Sequence, residues 1–142
     1  MTVPVAFHTG VADPLVFACR LLRKACRQGA RVLVTAPSQT LAALDVALWT
    51  FEAQEFLPHL RLPAPAAVAQ RTPIWLCDGN VPPDAPRLRV NLGADPPQDA
   101  AEVDRVIEIV GLADEDRRAG RAHWRHYEQT WGVTPEHHST AG

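Results

Sequence analysis

The sequence predicts a single α/β domain with a mainly parallel sheet flanked by helices and a C-terminal helix. Three observations carry this. Apolar runs alternate with helical patterns from the N-terminus onward, the order that gives parallel strands joined by right-handed crossovers. The run Arg31 to Ala36 (RVLVTA) is nearly continuously apolar, as a strand buried on both faces is. A chain of 142 residues with 46% hydrophobic content suits one ordinary globular core.

Val3 to His8 (VPVAFH) reads as the first strand, edged by Thr9-Gly10, with Pro4 tolerable near its start. Asp13-Pro14 opens a helix, because proline suits the first turn. Its apolar positions Leu15, Ala18, Leu22, Ala25 and Cys26 follow helical spacing and face the sheet. Arg20, Arg23, Lys24 and Arg27 near its end complement the helix dipole, and Gly29 suits the stop. After the strand at Arg31 to Ala36, Pro37 breaks the run, and Ser38 or Thr40 is expected to cap a helix over Leu41 to Trp49.

Thr50 to His59 is amphipathic and ends at Pro58. Composition then changes, with nine of the thirteen prolines lying between Pro58 and Pro97. Two strands interrupt that segment: Ile74 to Cys77, closed by the turn Asp78-Gly79-Asn80, and Leu88 to Leu92. Glu102 to Val110 reads as a last strand after a helical turn. Residues 134–142 carry no apolar anchor and read as a flexible tail on a domain of residues 1–133.

The C-terminal helix, Ala113 to Trp131, organises the rest. Asp114, Glu115 and Asp116 occupy its positive end, and Gly132 and Pro135 follow its last turn. At about 100° per residue Arg117, Arg121 and Arg125 form one row, bordered by a stripe of Trp124, Tyr127 and Trp131. Such a surface suits an acidic peptide with an apolar end, or nucleic acid. On this helix alone the plainer account is favoured: aromatics in the core and arginines on a solvated face.

A formal net charge of −2 gives no global field for DNA or membrane. No run approaches the ~20 apolar residues of a membrane span, and no basic start precedes an apolar stretch at the N-terminus. The odd cysteine count, Cys19, Cys26 and Cys77 without CxxC spacing, fits a reduced protein, so a cytoplasmic location is expected.

Catalytic motifs are absent. The first turn (FHTGVADPL) has one glycine where a dinucleotide fingerprint needs three, and no GxxxxGK[ST] loop exists. His123 and His126 share a helix face, His137 and His138 lie in the tail, and His8 and His59 stand alone. None has a cysteine or carboxylate at a zinc spacing, so each reads as a surface histidine. Asp45, Asp78, Asp84, Asp95 and Asp99 are mostly turn residues. Neither a cofactor nor a metal is expected.

Three features combine into a resemblance. One is Leu44-Asp45-Val46-Ala47-Leu48-Trp49, the second is Phe56-Leu57-Pro58-His59, and the third is Arg117, Arg121, Trp124, Tyr127 and Gly132 after an apolar strand. In order and spacing, over nearly the whole chain, they resemble the chi subunit family of bacterial DNA polymerase III holoenzyme. The Pro-rich segment departs from that pattern, as do Arg117, where a lysine can stand, and Trp124, where a tyrosine can.

The resemblance implies a Rossmann-like fold and a non-catalytic accessory subunit of the clamp-loader complex. It implies a heterodimer with the psi subunit and capture of the acidic C-terminal tail of single-stranded-DNA-binding protein. It also implies contact with a repair helicase through the psi-binding surface, with DNA touched only indirectly. Val110, Arg117, Arg121 and Trp124 match family positions for the tail; Arg118 and Arg125 are added from helical geometry. Trp49, Phe56, Pro58 and His59 match the second surface. There Phe56 is the better exposed anchor, whereas Trp49 reads more readily as core. Two other classes stay open: a small α/β enzyme using a nucleotide or Mg²⁺, and a direct single-stranded nucleic-acid binder using the arginine row.

Overall fold

Strands of the buried type alternate with helices in the computed structural model, which describes residues 2–51 and 56–140. In chain order they are β1 (Val5–Val11), α1 (Pro14–Arg27), β2 (Val32–Thr35), α2 (Ser38–Thr50), β3 (His59–Arg61), α3 (Ala66–Arg71), β4 (Ile74–Cys77) and β5 (Leu88–Asn91). A 3-10 turn at Ala100–Glu102 then leads into β6 (Arg105–Gly111), α4 (Asp114–Thr130) and β7 (Glu136–Ser139). The strands form one sheet in the order β3-β4-β2-β5-β6-β1-β7, and every pairing is parallel. The expected α/β architecture with its C-terminal helix is present.

Handedness decides which face each helix covers. The connections β1 to β2 and β2 to β3 move toward the β3 edge, and later ones move back toward β7. Right-handed crossovers therefore place α1 and α2 on one face and α3 and α4 on the other. The core agrees. Leu22, Leu41 and Leu44 pack with Val32, Val34, Ile107 and Ile109 on the first face. On the second, Tyr127 packs with Phe7, Val106 and Val110, and Ala69 packs with Leu33, Trp75 and Cys77. No helix joins β4 to β5, so Pro-rich loops run between α3 and α4. The β5 residues Arg89 and Asn91, two apart and on one face of the strand, are polar but buried.

Local sequence explains the helix ends. The Asp13 carboxylate accepts from the Val16 amide at 3.2 Å and caps α1, with Pro14 in its first turn. The cap expected for α2 differs: Pro37 precedes the helix, no side chain caps it, and the Ser38 hydroxyl donates to Asp78 at 3.3 Å instead. The β4 side chain Trp75 donates its indole N–H to the carbonyls of Ala69 and Thr72, at 2.9 and 2.8 Å, fastening α3 to the sheet.

Three elements were not expected. β3 and α3 occupy the Pro-rich segment, where six helical residues are too few to show a period. The segment read as a flexible tail, 134–142, contributes β7, which pairs with β1 from Ala6↔Glu136 to Thr9↔Ser139. Its anchor is backbone pairing rather than apolar burial, since all four of its residues are exposed. Thr140 adds a hydroxyl bond of 2.8 Å and an amide bond of 2.9 Å to the Thr9 carbonyl. Of the amphipathic stretch Thr50 to His59, residues 52–55 lie outside the described residues, as do 141 and 142 at the end of the tail. No described helix is long and apolar enough to cross a membrane.

Candidate functional site

Helix α4 lies against β6 because one glycine lets it. A Cβ on Gly120 would stand 3.0 Å from Val110 Cγ2 and 3.1 Å from Cγ1, tighter than side chains normally pack. From that contact α4 turns two kinds of residue toward β6 and β1. Tyr127 is fully buried, and its ring meets Phe7 edge-on at 5.9 Å. Trp124 is half-buried, with its ring 5.0 Å from Phe7.

Between α4 and β1 lies an open cavity of about 480 Å³. Phe7, Val110, Gly120 and Trp124 supply its apolar wall, Arg117 and Arg121 its cationic side, and Thr9, Gly10 and His137 the rest. Val110, Arg117, Arg121 and Trp124, the four positions matched through the family resemblance, thus line one space. Both arginines are exposed, and neither makes a hydrogen bond or ion pair with any described residue. Arg118 and Arg125 are exposed on the same helix but do not line the cavity. His137 does, which the tail reading missed; only a predicted strand after α4 would have revealed it.

The second group of residues comes together at the far edge of the sheet. Trp49 is 58% exposed and Phe56 65%, and their rings lie 5.5 Å apart. This corrects the core reading of Trp49. Val46, one turn earlier on α2, is 63% exposed and extends the apolar patch. Pro58 is half-buried. The surface reading of His59 is also corrected: its side chain is 1% exposed, lies 4.8 Å from the Trp49 ring, and bonds Asp45 and the Leu57 carbonyl, each at 2.8 Å. His59 therefore braces the patch from beneath.

Other histidines depart from the surface reading too. His123 bonds Glu108 at 3.1 Å, and His8 is half-buried and stacks on His138 at 4.9 Å. Glu108, 2% exposed, also accepts from the Tyr127 hydroxyl at 2.6 Å and from the Asn91 amide at 3.0 and 3.2 Å. Burial alone lowers the His123 pKa, but the hydrogen bond and charge of Glu108, with Asp95, outweigh it and raise the value.

A further groove of about 410 Å³ lies at the carboxyl ends of the strands, where α/β enzymes bind ligands. It is lined by Gln39, Thr40, Glu108, Glu115, Asp116 and His123 among others, with no lysine or arginine among the described residues that line it. Carboxylates without a cation do not suit nucleotide phosphates. Among the described residues, no group of three or more His, Cys, Asp or Glu is placed to hold a metal ion.

Comparison with known proteins gives two findings. The family model described as "DNA polymerase III chi subunit, HolC" matches residues 1–135. The chain is also similar to the DNA polymerase III subunit chi of Pseudomonas aeruginosa, 34% identical over 122 residues covering 83% of each chain.

The His123 shift has a sign that can be tested. Its folded pKa lies above the unfolded value of about 6.5, so its charged form stabilises the fold fully below that pH. The contribution is lost as pH rises through the folded pKa. His8, lowered by burial and by the charges of His138 and Arg105, has the opposite slope. Urea unfolding of wild type and His123→Gln across pH 6 to 8 should therefore show a stability difference that shrinks as pH rises. A pH-independent difference contradicts the pairing.

Proposed function

The chain belongs to the DNA polymerase III chi subunit family, and from that membership we propose that it serves DNA replication as a non-catalytic adaptor in the clamp-loader complex. On this reading one surface takes the acidic C-terminal tail of single-stranded-DNA-binding protein, and the other takes the psi subunit. A repair helicase competing for the psi surface belongs to the same proposal.

The observation that carries the tail assignment is the pairing of two guanidinium groups, without a partner among the described residues, with an apolar cavity. A tail rich in aspartate and ending in phenylalanine with a free carboxylate needs both. Guanidinium groups stay charged and bind carboxylates bidentately. Arg121, one turn before Trp124, takes the terminal carboxylate or a nearby aspartate, while Arg117 holds acidic residues upstream. Phe7, Val110 and Trp124 receive the terminal ring, and the absence of a side chain on Gly120 keeps the floor open. Arg118 and Arg125 act only through long-range attraction, because they lie outside the cavity.

For the psi assignment, the supporting observation is an exposed apolar patch of Val46, Trp49 and Phe56 braced by His59. Aromatic anchors of this kind dominate interface energetics. The direct nucleic-acid reading is weaker, because the four exposed arginines from Arg117 to Arg125 sit on a chain whose net charge is −2.

Arg121→Ala is expected to weaken an acidic peptide ending in Asp-Phe by roughly tenfold, about 1.5 kcal/mol, the low end for a charged hydrogen bond because the site is exposed. Arg20→Ala, an equal charge change on exposed α1 surface, should do little. Equal losses in titration calorimetry point to general electrostatics, and no loss for Arg121→Ala sinks the assignment.

At the other surface, Phe56→Ala should cost about 2 kcal/mol of psi affinity while thermal stability stays within about 0.5 kcal/mol of wild type, as for exposed positions. Unchanged psi binding contradicts the assignment; a large loss of stability contradicts the exposure.

A further inference from the structure

The peptide cavity has a wall that does not come from α4. β7 runs beside β1 with His137 opposite Phe7, and the His137 ring lies 6.2 Å from that of Trp124 and nearly perpendicular to it. Its Nε2 is 2.6 Å from the Thr9 hydroxyl. Its other nitrogen, Nδ1, makes no hydrogen bond to any described residue.

We infer that His137 is a third anion-binding group of this cavity, and that an acidic peptide binds there with uptake of a proton by its imidazole. The inference rests on the peptide reading of the cavity and adds to it a residue and a pH dependence.

The chemistry follows from the two ring nitrogens. A neutral imidazole has one donor and one acceptor, and an imidazolium has two donors. As an imidazolium, His137 donates from Nε2 to the Thr9 oxygen and from Nδ1 to a peptide carboxylate. The bond to Thr9 fixes the ring of a residue that lines the cavity, so the ring is not free to rotate away. Arg117 and Arg121 line the same cavity as His137. Glu136 and His138 flank His137 on β7, and His138 stacks on His8 of β1. A carboxylate arriving between the arginines and His137 draws the proton from solvent. Histidine is the side chain able to do this near neutral pH.

The same placement makes the terminal strand part of the site. Pairing with β1 and the two Thr140 bonds to Thr9 set where His137 stands. A tail that merely frayed would leave the cavity open on this side.

The test uses the full chain and a short acidic peptide ending in Asp-Phe, titrated calorimetrically at several pH values in buffers of different ionisation enthalpy. Wild type should bind more tightly as pH falls through the histidine range, with an observed enthalpy that depends on buffer. His137→Ala should bind roughly three- to tenfold more weakly at the acidic end, the size of one partly exposed hydrogen bond, and lose the buffer dependence. His137→Gln keeps a donor on the strand, so it should recover part of the affinity without the proton uptake. His138→Ala, on the opposite side of β7, should retain the uptake. If His137→Ala matches wild type at every pH while Arg121→Ala weakens binding, the cavity is a peptide site and the inference about His137 is wrong. If neither substitution matters, the peptide reading fails and the inference with it.

Discussion

A buried carboxylate governs the α4 side of this molecule. Glu108 projects from β6 into the interior and accepts hydrogen bonds from Asn91 on β5 and from His123 and Tyr127 on α4. Stranding a buried charge costs several kcal/mol, so these donors have little freedom to leave. Asn91 is itself held by the Thr35 hydroxyl at 3.0 Å and by two bonds to the Ala94 backbone. Three strands and one helix are thereby locked to a single side chain. His123 and Tyr127 are four residues apart, on one face of α4. Fixing both fixes the rotation of the helix about its axis. That rotation brings Trp124, Arg121 and Arg117 to the cavity beside β1 and leaves Arg118 and Arg125 outside it.

The buried strands and long helices were legible in the sequence because their signals are strong and local. Ile74 to Cys77 is β4 without adjustment, and the acid-led, glycine-stopped pattern of α4 gave its extent within a few residues. The grouping of Val110 with Arg117, Arg121 and Trp124 came from the family resemblance, since helical period alone gave only an arginine row beside an aromatic stripe. Short elements were not legible. α3 has one turn and a half, and β7 is polar and exposed along its length, so neither carries a hydrophobic period. Both are made by tertiary context: α3 by the Trp75 indole, β7 by the free edge of β1. Long-range polar pairs were equally invisible. Asp45 with His59, and Glu108 with His123, are separated by 14 and 15 residues and meet only through the fold.

The two candidate surfaces sit at opposite edges of the sheet. The cavity lies by β1 and β7, whereas the aromatic patch lies at the end of α2 near β3. Six inter-strand spacings separate the edge strands, about 29 Å. On the proposed adaptor reading, that separation leaves room for two partners without competition for contact area. The surfaces also differ physically. The cavity combines exposed arginines with an apolar floor, so the proposed peptide affinity should have a salt-sensitive and a salt-resistant part. The patch is aromatic and aliphatic, so in the proposed interface its contribution should come mainly from area removed from water.

The central claim is that the cavity recognises a peptide by its free terminal carboxylate and its last aromatic ring together. The most direct measurement compares, on the wild-type chain, an acidic peptide ending in Asp-Phe with the same peptide carrying a C-terminal amide. Amidation removes one charge and leaves the aspartates and the ring in place. The account predicts roughly tenfold weaker binding for the amide at moderate salt. It also predicts amide chemical-shift changes for both peptides centred on Gly10, Val110, Gly120 and Trp124. Equal affinities for the acid and the amide, or shift changes centred elsewhere, would contradict it.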